Sequence, residues 1–155
     1  MKDTGIKYYS TNLKSPRISF REALLKGLAP DGGLYMPVLI PALDEDYIMS
    51  LHGVPYNELA FRVLKIMLND ELPENDLLQI CRDAYDFEVP VERVDKRKYL
   101  LRLDRGPTAS FKDFAARMMA RLMNHFLAGE NLHYTILTAT SGDTGSAVAS
   151  AFQVE

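Results

Sequence analysis

The sequence predicts an α/β protein, with a small α-rich domain at residues 1–85 followed by the first part of a parallel-sheet domain at residues 86–155. Two observations support this prediction. The first domain contains several amphipathic helical patterns and only short strand signals. After it, strand and helix signals alternate twice, which is the element order of a parallel α/β sheet.

The elements of the first domain are marked by local capping and turn signals. Ser19 and Glu22 form a capping box that begins a helix, and Gly27 ends it. The other elements predicted here are short strands at residues 6–10 and 34–36, a brief helix capped by Asp44, and amphipathic helices at residues 56–68 and 74–86.

The second domain is predicted to contain a strand at residues 98–103 and a helix from an N-cap at Ser110 to about Leu127. A strand at residues 134–140, rich in β-branched side chains, and a helix after Gly145 follow. A parallel sheet of two or three strands cannot cover both of its faces. We therefore expect the sequence to be a truncated, N-terminal fragment of a longer protein.

The composition is that of a globular protein, with a net charge of −3 and scattered basic residues. This charge argues against a nucleic-acid partner, and we expect no membrane partner because neither a spanning apolar run nor a signal peptide is visible. Cys81 is predicted to be a buried free thiol, which fits a cytoplasmic location. No histidine pattern indicates a metal site.

Lys112 has an unusual place on its predicted helix. It lies in the first turn, where the helix dipole disfavours a cation, and within the apolar arc rather than on the polar face. Burial and the dipole both favour a neutral amine, which is the nucleophile that forms Schiff bases. On helix geometry alone, a surface lysine that reaches solvent stays an open alternative. The apolar arc comprises Phe111, Phe114, Ala115, Met118, Met119, Leu122, Met123 and Phe126, and the polar face Asp113, Arg117, Arg121 and Asn124.

The turn Ser141-Gly142-Asp143-Thr144-Gly145 follows the predicted strand at 134–140 and precedes a helix of small residues. Glycines allow close approach of a ligand, and N–H groups at a helix N-terminus attract anions. An ordinary turn with Asp143 or Thr144 as N-cap is the alternative interpretation. The spacing matches neither a Walker loop nor a dinucleotide fingerprint.

These residues resemble the threonine synthase family, pyridoxal-phosphate enzymes of the tryptophan-synthase-β-like fold (fold type II). The similarity extends over essentially the whole chain in the right order. The matching segments are Gly106-Pro107-Thr108, Ser110-Phe111-Lys112-Asp113-Phe114, Thr138 to Gly145, Tyr8 to Thr11, and Ser19 to Tyr35.

The resemblance implies threonine biosynthesis by conversion of O-phosphohomoserine and water to threonine and phosphate, the work of a carbon–oxygen lyase that acts on a phosphate ester. Lys112 would hold pyridoxal 5'-phosphate as a Schiff base and shuttle protons. Asp143 would lie near the cofactor, although a carboxylate beside its phenolate oxygen is repulsive unless a proton is shared. The substrate would be bound by Thr108, Ser110, Ser141, Gly142, Thr144 and Gly145.

Several points stay open from the sequence. Thr108 has turn formation as an alternative role, and Ser110 has helix capping. Asp104-Arg105 stands where the family commonly has Phe-His, and Arg105 would contact a phosphate or simply be solvated. A hydroxy-amino-acid dehydratase of the same fold is a rival function. The cofactor's phosphate cradle and pyridine-nitrogen partner are absent from the sequence, so we expect the isolated chain to be inactive, at most a fragment that binds an anion or a partner.

Overall fold

The computed structural model describes residues 5–68, 71–130 and 134–153. The chain divides into two compact units, Met1–Val54 with Glu58–Gln79 and Pro55–Asn57 with Ile80–Glu155. The predicted domain boundary between residues 85 and 86 stays a prediction. The division between the two compact units falls elsewhere, within two helices. In chain order the elements are β1 (Tyr8–Ser10), α1 (Phe20–Lys26), β2 (Tyr35–Pro37), α2 (Glu45–Ser50), α3 (Tyr56–Leu68), α4 (Glu74–Ala84), β3 (Val91–Asp95), β4 (Lys98–Leu101), α5 (Lys112–Leu127) and α6 (Asp143–Phe152).

Capping in the first unit follows the local sequence signals. The Ser19 hydroxyl accepts a hydrogen bond from Glu22 N, while Ser19 N donates to the Glu22 carboxylate at 3.0 Å. Gly27 ends α1 at a φ of 70°, a conformation that glycine adopts without a Cβ clash. Asp44 caps α2 by accepting from Tyr47 N at 2.7 Å. The capping predictions for both helices are confirmed.

A hydrogen-bond network around the half-buried Asp31 fixes the turn between α1 and β2. Its carboxylate accepts from Ser10 Oγ at 2.6 Å, Lys14 N at 2.9 Å and Gly33 N at 3.0 Å. The bond from Ser10 is the main cause of a lowered pKa of Asp31, about 2. A Cβ on Gly33 would lie 2.8 Å from Asn12 N, so only glycine fits this close approach. β1 and β2 pair antiparallel beside the turn.

The second unit is built around an aromatic cluster of Tyr56, Tyr85, Phe87 and Phe114. Tyr56 meets Tyr85 and Phe114 edge to face, with ring centroids 5.0 and 5.5 Å apart. Tyr85 Oη donates to the Phe114 carbonyl at 3.2 Å, and burial raises the pKa of Tyr85. Cys81 is a buried free thiol, as predicted, and burial raises its pKa to about 11.

The predicted parallel sheet is not present in the described part of the chain. β4 forms as expected, but it pairs antiparallel with β3 in a hairpin. Residues 134–140 form no strand there and are exposed. A strand is stabilised by a hydrogen-bonded neighbour, and the described residues offer this segment none. The coarser prediction of a mixed α/β chain is confirmed, while the parallel-sheet part of it is not seen.

Helices of the second unit pack directly on each other: α6 lies against α5. α4 ends at Ala84 rather than at residue 86, and Arg117 of α5 binds the carbonyl oxygens of Asp83 and Ala84 that this helix end leaves free. Among residues 5–68, 71–130 and 134–153, none of the helices has both the length and the apolar character of a membrane span.

Candidate active site

The segment that leads into α5, residues 106–110, is here called the 106–110 loop. Ser110 was predicted to be the N-cap of α5, but Phe111 occupies that position in a helical conformation without a side-chain cap. Ser110 lies one residue earlier because the chain already turns there, with Asp113 N donating to the Ser110 carbonyl at 3.0 Å. The buried Ser110 hydroxyl still accepts from Lys112 N at 3.3 Å. It therefore supports the first turn locally.

Asp113 is the residue that holds the 106–110 loop. The helical pattern placed it on an exposed polar face, which is wrong, since its exposed fraction is 0%. Asp113 Oδ2 accepts from Thr108 N at 2.9 Å, and Oδ1 accepts from the Thr108 hydroxyl at 2.6 Å. The loop folds back over the start of α5, and this covers the carboxylate. The burial of Asp113 is tolerated because its carboxylate accepts from a backbone amide and a hydroxyl of the loop, which would otherwise lack partners in the protein.

Two backbone features show how tightly the 106–110 loop is constrained. A Cβ on Gly106 would lie 2.7 Å from Asp113 Cβ, so the backbone approaches the carboxylate as only glycine allows. Ala109 has a φ of 54°, a left-handed conformation that costs a non-glycine residue about 1–2 kcal/mol. Ala109 N donates to the Gly106 carbonyl at 3.0 Å. The bonds to Asp113 offset this strain.

Lys112 follows the loop as the first residue of α5 and is half-buried. Its Nζ lies 4.5 Å from the centroid of the Phe111 ring. No hydrogen bond or ion pair within the described residues engages this amine. The predicted apolar arc is divided: Leu122 and Phe126 are buried, whereas Phe111 is 61% exposed. Lys112 thus lies on the exposed part of that arc.

The start of α6 forms the second half of the candidate site. The helix begins at Asp143 rather than after Gly145, with Gly142 as N-cap at a φ of 145°. This conformation favours glycine. Neither Asp143 nor Thr144 is the N-cap, so the capping alternative is wrong for both. Gly142 N donates to Thr140 Oγ1 at 3.1 Å, and a Cβ on Gly145 would lie 2.6 Å from Thr140 Cγ2.

Three backbone N–H groups at this helix start are unpaired within the described chain. The first helical hydrogen bond runs from Ser146 N to the Gly142 carbonyl at 2.9 Å. The preceding amides of Asp143, Thr144 and Gly145 therefore have no intrahelical acceptor. All of Ser141 to Thr144 is exposed. Exposed amides at a helix N-terminus suit a carboxylate or phosphate ligand.

Arg117 was not recognised from the sequence as a structural residue, since it was placed on the polar face. It is only 9% exposed. Arg117 Nε donates to the Ala84 carbonyl at 2.7 Å, and Nη2 donates to the Asp83 carbonyl at 2.9 Å and to Asp86 Oδ1 at 2.7 Å. These bonds fix α5 against the end of α4. In the sequence, the acidic residue Asp86, two residues past that end, was the available signal for an ion pair with Arg117.

The Asp104-Arg105 pair has an asymmetric environment. Asp104 is bound by Arg102 through two hydrogen bonds of 2.8 and 2.7 Å, which lower the pKa of Asp104 to about 2. Arg102 Nη1 also donates to Glu92 of β3 at 2.6 Å. Arg105 is exposed and has no hydrogen bond or ion pair within the described residues. Whether Arg105 contacts a phosphate or is simply solvated, the two alternatives left by the sequence, stays untested.

Fold and site together define a class of protein: a mixed α/β chain with an anion-receptive helix start and a lysine amine that no described residue engages in a hydrogen bond or ion pair. Comparisons with known proteins refine this class. The family model described as "Threonine synthase N terminus" matches residues 7–85. A threonine synthase from Pseudomonas aeruginosa is 40% identical over 147 residues, which cover 92% of this chain and 31% of that protein.

Solved structures agree with the sequence comparison. The pyridoxal-phosphate-bound threonine synthase from Brucella melitensis has a TM-score of 0.90 and 41% identity, covering 95% of this chain and 33% of that one. The Escherichia coli threonine synthase has a TM-score of 0.86 and 35% identity, covering 95% of this chain and 34% of that one. The chain belongs to the threonine synthase family. It spans about a third of the length of these relatives.

Proposed function

We propose that this chain supplies the reactive lysine and the substrate-binding turn of a threonine synthase. That enzyme converts O-phosphohomoserine and water to threonine and phosphate, as a carbon–oxygen lyase in threonine biosynthesis. The supporting observation is that Lys112, in a chain of this family, begins a helix and forms no hydrogen bond or ion pair through its amine with the described residues. An amine already paired with a carboxylate would be a poor nucleophile.

The residues present fit pyridoxal 5'-phosphate, the cofactor named for the Brucella melitensis relative. A free amine is the donor chemistry that this cofactor needs, and Lys112 provides it. When bound, the cofactor supplies an electron sink for negative charge that develops on the substrate carbons. Lys112 would hold the cofactor and would accept and return protons at the substrate α and β carbons.

The 141–145 turn is proposed to bind the substrate carboxylate. The unpaired amides of Asp143, Thr144 and Gly145 provide donors, and the exposed hydroxyls of Ser141 and Thr144 add two more. Gly142 contributes its backbone conformation, since its own N–H is occupied by Thr140. Asp143 is proposed to lie near the cofactor, where its carboxylate repels an anion unless it carries or shares a proton.

Thr108 and Ser110 are proposed to position Lys112 rather than to bind substrate. Thr108 donates its hydroxyl to Asp113, and Ser110 accepts from the Lys112 backbone. Both hydroxyls therefore have internal partners close to the amine. A fold type II catalytic domain and a cytoplasmic location, both expected from the sequence, belong to this proposal.

Covalent trapping tests the role of Lys112 directly. The 155-residue chain is incubated with pyridoxal phosphate, reduced with borohydride and mapped by mass spectrometry. We expect the cofactor on the Lys112 peptide and its loss in Lys112→Ala. Lys96→Ala is the matched control, because Lys96 is exposed on the hairpin. Labelling spread equally over surface lysines, or unchanged by Lys112→Ala, would contradict the proposal.

Activity distinguishes the proposed reaction from that of the rival dehydratase. The chain is mixed with the C-terminal two thirds of the Escherichia coli relative and assayed for phosphate release from O-phosphohomoserine. We expect release by the mixture and none by either part alone, because the chain spans only about a third of its relatives. Ammonia release from threonine, without phosphate release, would favour the dehydratase instead.

A further inference from the structure

A polar cleft of about 750 Å³ lies in the second unit, between the end of α4, the middle of α5 and the end of α6. It is separate from the candidate active site, since the ten residues of α6 place about 15 Å between Asp143 and the far end of the helix. The side chains that matter to its chemistry are Arg82, Arg117, Arg121, Asn124, Ser150 and Gln153.

Arg121 is the central donor of this cleft. Its guanidinium is half-buried, and Nη1 donates to the Arg117 carbonyl at 3.1 Å. The other N–H groups of Arg121 have no acceptor within the described residues. Burial, and next the neighbouring Arg117, lower the pKa of Arg121, while Asp83 and Asp86 act in the opposite direction. A guanidinium with several unused donors is stabilised by a bound anion.

The charge balance of the cleft favours an anion. Arg117 is neutralised by Asp86, with Nη2 and Oδ1 2.7 Å apart. Arg82 is exposed and forms no ion pair within the described chain. Three arginines and two aspartates, counting Asp83, line the cleft, so its formal charge is +1. Arg82 and Arg121 are the two arginines without a carboxylate bound to them, and the charge of Asp83 offsets one of their two charges.

Neutral donors complete the lining. The side-chain amides of Asn124 and Gln153 and the hydroxyl of Ser150 all face this cleft and have no hydrogen bond to the described protein. A tetrahedral oxyanion accepts several hydrogen bonds at once, and arginine is suited to bind two of its oxygens together. We propose that this cleft binds a phosphate-class oxyanion, with Arg121 as its main ligand.

Titration of the 155-residue chain with inorganic phosphate, at constant ionic strength, tests the proposal by calorimetry or NMR. We expect saturable binding that weakens by about tenfold or more in Arg121→Gln, from the loss of a charged hydrogen bond. Arg97→Gln removes the same charge from the exposed hairpin and should leave the affinity unchanged. Lys112→Ala should also leave it unchanged, while the loss in Arg121→Gln separates this site from the amides of the 141–145 turn.

A second variant keeps the test informative if Arg121→Gln unfolds. Asn124 is exposed and holds nothing in the described structure, so Asn124→Ala should fold and weaken phosphate binding by about threefold. Absence of saturation, or equal weakening by Arg97→Gln, would overturn the proposal. Acetate is expected to bind more weakly than phosphate, and equal binding would overturn the assignment to the phosphate class.

Discussion

Replacing Asp113 by alanine should release the 106–110 loop from the start of α5. The buried carboxylate accepts two hydrogen bonds from Thr108, at 2.9 Å from its amide and 2.6 Å from its hydroxyl. No other described residue accepts from either group. Hydrogen bonds to a charged group contribute about 1.5–3 kcal/mol each to stability. Thr108 is half-buried, so water can partly replace the carboxylate and the lower value applies.

The expected loss from Asp113→Ala is therefore about 3 kcal/mol in the free energy of unfolding. For a chain of this length that corresponds to a fall of roughly 6–12 °C in the melting temperature. Asp113→Asn should cost only about 1 kcal/mol, because the amide oxygen can accept from Thr108 N while its NH₂ donates to the Thr108 hydroxyl. Asp113→Asn is therefore expected to be more stable than Asp113→Ala, because the amide can keep both hydrogen bonds with Thr108 although it carries no charge.

Urea unfolding followed by circular dichroism measures these changes. The matched control is Asp46→Ala, which removes an exposed aspartate from the first turn of α2 and should cost less than about 1 kcal/mol. An Asp113→Ala protein that is as stable as Asp46→Ala would refute the reasoning. So would an Asp113→Asn protein that is less stable than Asp113→Ala, since the amide would then fit worse than an empty site.

Two further predictions concern the structural anchors of the two units. The folded-state pKa of Asp31 is about 2, below its ordinary value of 3.8, so its carboxylate stabilises the fold above pH 4, and this contribution is lost as the pH falls from about 4 to 2. Urea midpoints measured across this range should fall less steeply for Asp31→Asn than for the unchanged chain, and parallel curves would contradict the assignment. Arg117→Lys should lower the free energy of unfolding by about 2–3 kcal/mol, because an ammonium cannot reproduce the fork that binds Ala84, Asp83 and Asp86. Arg97→Lys on the exposed hairpin is the control, and an equal small effect of both substitutions would count against this role.

Prediction from the sequence worked best where a short segment contains its own stabilising partners. The capping box joins Ser19 to Glu22 and the Asp44 cap joins residues 44 and 47, each pair three positions apart, and α3 has the predicted limits. Such contacts require no knowledge of distant chain segments. The motif around Lys112 was likewise readable, because the order and spacing of its residues carry the family resemblance.

Prediction failed where a segment's state depends on what lies beside it. Residues 134–140 have strand-forming side chains, but a strand also needs a hydrogen-bonded neighbour. Asp113 has the periodicity of a solvated residue, yet the 106–110 loop folds over it. In both cases helical or strand periodicity describes one element alone and says nothing of the surface it meets.

The sequence by itself determined the family, most helix positions and the identity of the candidate lysine, since all three follow from local residue order. Tertiary structure alone decided that Asp113 and Arg117 are buried anchors, that β4 joins a hairpin, and that Arg121 faces a polar cleft. The contacts of Arg117 join residues far apart in the chain, such as Arg117 with Asp83, whereas the Asp113 bonds and the hairpin join nearby residues whose meeting depends on how the intervening backbone folds. Residue order does not specify such contacts, because the backbone must first fold before the donors and acceptors meet.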